Sequence, residues 1–328
     1  MDYWPFFWFI LGLLLIIKGS DWFVEGAVWI ARALKVSDIM IGATLVSLCT
    51  TLPEAMVSTN SALKGNTDMA MGNVLGSIAF NSGVVLAIIL IFTQPKIRYA
   101  KNLKKNSKEL LFLIGAVFLL GLVFGEIHRF AGILLLIYLG VYLLRNVVEA
   151  RRIQREERLE RETGEPEKAK KVKPGKKEVL HSVLIFTLGL GMTVLGAELL
   201  VNNGEIIAQR LGVPDLIIGL TMTSVGTSLP ELVTAISAIR KKAQDLSVGN
   251  IMGANILNII LVIGIMATIE PVTMNLSILS FHLPFALFIT VTIMIFVHSR
   301  KKQLTKNMGR SLLGFYGIYL AGILLTTL

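Results

Sequence analysis

The stretch Gly42 to Asn81 reads GATLVSLCTTLPEAMVSTNSALKGNTDMAMGNVLGSIAFN, and it sets Thr44, Ser47, Thr50, Thr51, Glu54, Asn73, Ser77 and Asn81 in strongly apolar surroundings. The stretch has a twin. Shifted by 177 positions, the signal returns between Gly219 and Asn258 as GLTMTSVGTSLPELVTAISAIRKKAQDLSVGNIMGANILN. From Val36 to Asn81, 16 of 46 positions match their partners without a gap, among them Gly42/Gly219, Thr50/Thr227, Pro53/Pro230, Glu54/Glu231, Gly72/Gly249, Asn73/Asn250 and Asn81/Asn258. Two unrelated hydrophobic helices do not share polar residues in this register, so the chain is a duplicated unit.

Composition sets the environment of that unit. Of 328 residues, 54% are apolar and 16% charged, and the mean hydropathy is +0.69. Apolar runs of about 20 residues, the length that crosses a bilayer core, recur at 5–31, 38–63, 68–93, 109–125, 130–148, 180–209, 214–239, 246–269, 275–298 and 311–327. The first run lacks the basic start and small-residue cleavage site of a secretory signal and reads as a retained span. The one cysteine, Cys49, excludes an intrachain disulfide.

The net charge of +10 suggests nucleic acid until its distribution is mapped. With the amino terminus outside, loops near 32–35, 94–108, 145–178, 240–244 and 299–310 face the cytoplasm and carry 28 of the 32 Lys and Arg. Lys64, Arg129 and Arg210 lie in the opposite loops, and Lys18 lies inside the first span. This is the positive-inside pattern, so no nucleic-acid partner is expected.

The expected fold is an all-α polytopic membrane protein of ten transmembrane helices, built as two inverted five-helix repeats. Five spans are an odd number, so the second unit enters from the opposite face. The units are 1–148, with the motif 42–81, and 179–328, with the motif 219–258. Between them, 149–178 is a charged cytoplasmic linker: its Arg/Glu-rich start extends the fifth helix, and Gly164, Pro166 and Pro174 then break it. Spans four and five read as plain apolar scaffold. In the first span, Lys18 and Asp21 are three apart and expected to pair; the sixth span keeps an acid at Glu198.

Glu54 and Glu231 decide the chemistry. A carboxylate deep in a span is functional by default, and two at matching positions disfavour joint ionisation unless a cation or proton sits between them. Around them stand Thr50, Thr51, Ser77 and Asn81 from one half and Thr227, Ser228 and Asn258 from the other, with Ser47 and Ser224 one or two turns away. Every one offers oxygen, a set that suits hard cations such as calcium and not zinc or copper. No HExxH motif or P-loop is present, which argues against a membrane enzyme or a nucleotide-driven pump. No filter sequence supports a channel.

These motifs, GATLVSLCTTLPE…GNVLGSIAFN and GLTMTSVGTSLPE…GNIMGANILN, resemble the paired repeats of the cation/calcium exchanger superfamily in its prokaryotic sodium/calcium exchanger branch. The resemblance covers all ten spans and implies a secondary antiporter working by alternating access, with spans one and six sliding as a gate. It implies that Glu54 and Glu231 are central calcium ligands and that Thr50 and Thr227 add hydroxyls and carbonyls. Thr51, Ser77 and Ser228 would line sodium sites, Asn81 and Asn258 would complete the middle ring, and Ser47 and Ser224 match positions that use a backbone carbonyl. Three positions depart from the family's pattern: Cys49 replaces a Gly, Asn258 an Asp, and Ala254, partner of Ser77, a hydroxyl serving the outer sodium site. Proton-coupled or potassium-assisted calcium exchange is the alternative. The implied partners are the lipid bilayer and calcium and sodium as transported ions, with no cofactor and no obligate protein partner. The implied location is a prokaryotic-type inner membrane with both termini outside.

Overall fold

Each apolar run becomes a helix, because a chain crossing hydrocarbon must satisfy its backbone N–H and C=O groups internally. The computed structural model describes residues 3–34, 38–94, 100–163, 176–211, 223–298 and 304–327. The first half holds α1 (Trp4–Leu34), α2 (Ile39–Thr50) and α3 (Leu52–Leu63) meeting at a bend of 41°, α4 (Thr67–Thr93), α5 (Ala100–Phe124) and α6 (Arg129–Thr163). The second half holds α7 (Lys176–Arg210), the broken pair α8 (Thr223–Thr227) and α9 (Leu229–Arg240), then α10 (Gln244–Ile269), α11 (Ile278–His298) and α12 (Lys306–Thr327). Among the described residues, eight single helices are long and apolar enough to span a bilayer, and α2–α3 makes a ninth as a bent pair. The start of the span expected at 214–239 lies outside the described residues, as do Gly164, Pro166 and Pro174 of the linker.

The molecule is built around α4 and α10. Their most apolar stretches are 78% and 83% buried, against 17% for α6 and 22% for α7, which face lipid. α10 packs along α2, and α8 packs on α4, so each half's broken helix lies on the other half's central one. Along the flank, α1 and α7 run antiparallel. A Cβ on Gly12 would stand 2.7 Å from the carbonyl oxygen of Gly196, and one on Gly19 would stand 2.8 Å from that of Gly189. Gly12 and Gly189 are 177 apart, and so are Gly19 and Gly196. The same close contact is therefore made twice, once in each sense, as an inverted repeat requires. Small residues let two helices come this near in lipid, where packing drives their association.

A two-residue antiparallel bridge, β1 (Glu126–Ile127) with β2 (Val272–Thr273), ties the α5–α6 turn to the α10–α11 turn. Thr67, at the α3–α4 turn, reaches Thr273 between hydroxyls at 3.0 Å. These three turns thus share one face of the molecule.

Two expectations are corrected. α5 and α6 are more than apolar scaffold: Arg145 ion-pairs with Glu109, Tyr138 Oη donates to Glu109 Oε1 at 2.7 Å, and Lys105 pairs with Glu149. These partners lie 29 to 44 positions apart along the chain, and only the helix packing pairs them. The Lys18–Asp21 pair does not form. Lys18 Nζ lies over the Trp22 ring, 5.5 Å from its centroid. Asp21 instead accepts from Ser237 Oγ at 2.6 Å, because α9 presents a nearer donor than α1 itself does.

Candidate ion-binding site

Two equivalent helix breaks form the centre. Pro53 and Pro230 lack the N–H that a continuous helix needs, so each helix stops and restarts. Just before the restart, Thr51 (φ −79°, ψ −4°) and Ser228 (φ −88°, ψ 5°) take the same bridge conformation. Proline then sits in the first turn of α3 and of α9, where a missing N–H is harmless. Glu54 and Glu231 follow in that turn, at the helix end that favours a carboxylate.

Both carboxyl groups are fully buried and lie within electrostatic reach of each other. Ser228 Oγ donates to Glu54 Oε1 at 3.1 Å. Glu54 Oε2, both Glu231 oxygens, Thr51 Oγ1, Ser77 Oγ and the amide atoms of Asn81 and Asn258 have no hydrogen-bond partner in the protein. Each buried unpartnered polar group costs about 1–3 kcal/mol, and a charged one more. A fold keeps such a set on facing elements of both repeats when an ion completes it. Among the described residues no three His, Cys, Asp or Glu cluster together, and the donors gathered there are two carboxyls and neutral oxygens. Such a set fits a hard cation.

A rigid frame surrounds these atoms. Thr50 Oγ1 donates to Asn250 Oδ1 at 3.2 Å, and Thr227 Oγ1 donates to Asn73 Oδ1 at 3.0 Å. The two bonds are repeats of one another, and each crosses between the halves. Asn73 Nδ2 continues to Ser58 Oγ at 2.9 Å and to the Glu54 carbonyl at 3.4 Å. Asn250 meets no such hydroxyl, since Ala235 stands where Ser58 would be, and its Nδ2 has no partner. The helices are nonetheless tied alike. Ser58 Oγ donates to the Ala70 carbonyl and Ser247 Oγ to the Ala235 carbonyl, both at 3.3 Å. The hydroxyl has changed helices between the halves.

Of the expected residues, Thr227, Ser228 and Glu54 are joined by these contacts, with Glu231 facing Glu54, Thr50 bonded to Asn250, and Thr51, Ser77, Asn81 and Asn258 buried on the same elements. Ser47 and Ser224 stand at helix crossings. A Cβ on Gly253 would lie 2.5 Å from Ser47 Oγ, and one on Gly76 would lie 2.6 Å from Ser224 Cβ. Asn73 and Asn250 are the frame residues absent from the expected set; their match in G-N-x-x-G of both halves was the available signal. The π-helical turns carried no signal in the sequence. Among the described residues they run Gly42–Val46, Asn81–Val85, Asn258–Ile263 and, away from the glutamates, Ile278–His282, and Asn81 and Asn258 each open one. Such turns widen a helix and recur at functional sites.

The halves differ on their flanks. α1 packs along α9, where Asp21 accepts from Ser237 and lies 3.8 Å from Arg240, while Lys241 Nζ donates to the Asp21 carbonyl at 2.7 Å and to Glu25 at 3.1 Å. Among the described residues, the equivalent pair, α7 and α3, does not pack in this way. Leu52, Met56 and Asn60 of α3 are exposed, whereas Leu229 and Val233 are half-buried and Ser237 is buried. The two helices that begin with the glutamates are thus unequally packed, while both carboxyl groups stay fully buried.

Comparison with known proteins finds the same architecture. The family described as "Sodium/calcium exchanger protein" matches residues 4–148 and 181–325. The inner membrane protein YrbG of Escherichia coli is 31% identical over 95% of this chain and 94% of its own. The sodium/calcium exchanger MaX1 of Methanosarcina acetivorans is 29% identical over 95% and 96%. A solved structure of the sodium-calcium exchanger NCX_Mj superposes with a TM-score of 0.82 at 27% identity, covering 98% of this chain and 99% of that one.

Proposed function

This chain belongs to the sodium/calcium exchanger protein family and is an integral-membrane transporter, not an enzyme; from that premise we propose that it moves calcium against sodium by alternating access, binding both between its repeats. Calcium sits between Glu54 and Glu231, with Thr50, Thr227, Asn81 and Asn258 completing its shell. Thr51, Ser77 and Ser228 serve sodium, and Ser47 and Ser224 add backbone carbonyls beside it. One observation carries the reading: two fully buried glutamates from matched helix breaks, with unpartnered oxygens beside them.

Electrostatics then supplies the coupling. Two carboxylates neutralise one divalent ion or two monovalent ones, so a loaded centre crosses the low-dielectric barrier while an empty one is opposed. The uneven flanks support the alternation. In this state α1 seats on α9; sliding α1 and α7 exchanges the two contacts. We assign residues 1–148 and 179–328 as the two five-helix units joined by 149–178, with both termini outside and the linker cytoplasmic in a prokaryotic-type inner membrane. The loop charge asymmetry supports that orientation.

The test is calcium-45 uptake into proteoliposomes preloaded with sodium, potassium or choline at fixed pH, beside Glu54→Gln and Glu231→Gln. Uptake from sodium-loaded vesicles alone, lost in both variants, is the expected result. Uptake indifferent to sodium and driven by a pH gradient or potassium would transfer the reading to the second candidate. Ala254 favours that candidate specifically: it is fully buried and offers no oxygen where its partner Ser77 does. No calcium flux under any gradient would overturn the substrate.

A further inference from the structure

The π-helical turn Gly42–Val46 has a bonding defect with a specific remedy. The Ser47 N–H is shared between the Gly42 carbonyl, five residues back, and the Thr44 carbonyl, three back. A regular helix would have directed it to Ala43, four back. The Ala43 carbonyl is the one passed over, and Tyr142 Oη of α6 donates to it at 3.0 Å. Tyr142 is fully buried, and its ring carries the Arg145 guanidinium 5.9 Å from its centroid. Arg145 is held in turn by Glu109, which accepts from Tyr138.

The held carbonyl stands at a tight place. A Cβ on Gly253 of α10 would lie 2.7 Å from Ala43 O and 2.5 Å from Ser47 Oγ. One turn beyond Ser47, Thr50 makes its bond to Asn250. From Ala43, where Tyr142 of α6 holds it, through Ser47 to Thr50, α2 is one continuous piece of helix with its register set at the π turn. We infer that Tyr142 is a positioning residue for the ion site: its hydroxyl fixes the widened turn and so holds the Thr50 end of α2 in place beside Glu231. This rests on the calcium reading above, but its structural half does not.

The repeat supplies a control. Tyr319 is the partner of Tyr142, 177 residues on, and is also buried. Its Oη bonds His282 Nδ1 at 2.7 Å instead of a broken helix. Tyr142→Phe and Tyr319→Phe therefore delete the same buried hydroxyl, with only the first touching α2. Calcium titrations of the purified protein in detergent, with thermal unfolding and hydrogen exchange of the calcium-free proteins, separate the roles. Y142F should raise the half-saturating calcium about five- to tenfold, as expected when a buried carbonyl loses its donor, and should speed exchange of the Val46–Thr50 amides. Y319F should stay within about twofold on calcium and leave those amides unchanged, at a similar loss of thermal stability. Unaltered affinity and exchange in Y142F would overturn the inference, as would equal losses in both variants in step with stability. Wild-type protein that binds no calcium would instead overturn the substrate reading, and the exchange result alone would then decide the role of Tyr142.

Discussion

At the scale of single residues, equivalence in sequence does not mean equivalence in energy. Asn73 and Asn250 are the same letter in the same motif, and each accepts from a threonine of the other half. Asn73 makes two further bonds as a donor, while the Asn250 amide nitrogen makes none. Asn73→Ala should therefore lower stability more than Asn250→Ala, by about 1 kcal/mol for the extra buried bonds. Thermal unfolding of the two variants in the same detergent reads this directly, and equal losses would contradict the bonding seen here. The sequence reached Glu54, Glu231 and their hydroxyl neighbours because a carboxylate in an apolar span is conspicuous. It did not reach the frame bonds, which join residues 154 and 200 positions apart.

At the scale of elements, the proline breaks were legible and the π turns were not. Proline is a local steric fact that one letter announces. A π turn is an insertion into a ladder of bonds, compatible with ordinary residues such as those of Gly42–Val46. The central crossing gives a second test. Gly253→Ala places a methyl 2.7 Å from the Ala43 carbonyl and 2.5 Å from Ser47 Oγ, and backbone cannot yield as a side chain can. Overpacking of this kind costs about 1–3 kcal/mol. The variant should unfold at lower temperature and bind calcium more weakly, because α2 is displaced from α10. A normal melting curve with normal binding would show that the crossing can relax. The same logic explains the polar cluster of Glu109, Tyr138 and Arg145: helix periodicity shows two apolar spans, and their mutual rotation shows the ion pair.

At the scale of the whole molecule, the contact between α1 and α9 has a counterpart written in the same residues. Shifting by 177 turns Asp21 into Glu198, Ser237 into Asn60 and Lys241 into Lys64. In the opposite-facing state, Glu198 should take up Asn60 and Lys64 as Asp21 and its neighbours now hold Ser237 and Lys241. In a Cys49→Ala background, cysteines at 21 and 237 should cross-link readily and stop transport. Cysteines at 198 and 60 should cross-link only in protein free to cycle, and prior cross-linking of the first pair should prevent it. Independent formation of both cross-links in one molecule would exclude the exchange of contacts.

By itself the sequence determined the membrane class, the duplicated five-span unit, its inverted packing and the two glutamates with most of their oxygen neighbours. Those features depend on hydrophobic length, an odd span count and the cost of burying charge, all of which are carried by composition and register along the chain. Tertiary structure alone decided that Asn73 and Asn250 brace the site unequally, that Ser58 and Ser247 make one tie from opposite helices, that Tyr142 holds the widened turn, and that α1 rather than α7 closes its flank. Each of these is a bond or contact between distant segments. Such contacts follow from how helices cross and rotate against one another, which no local pattern of residues encodes.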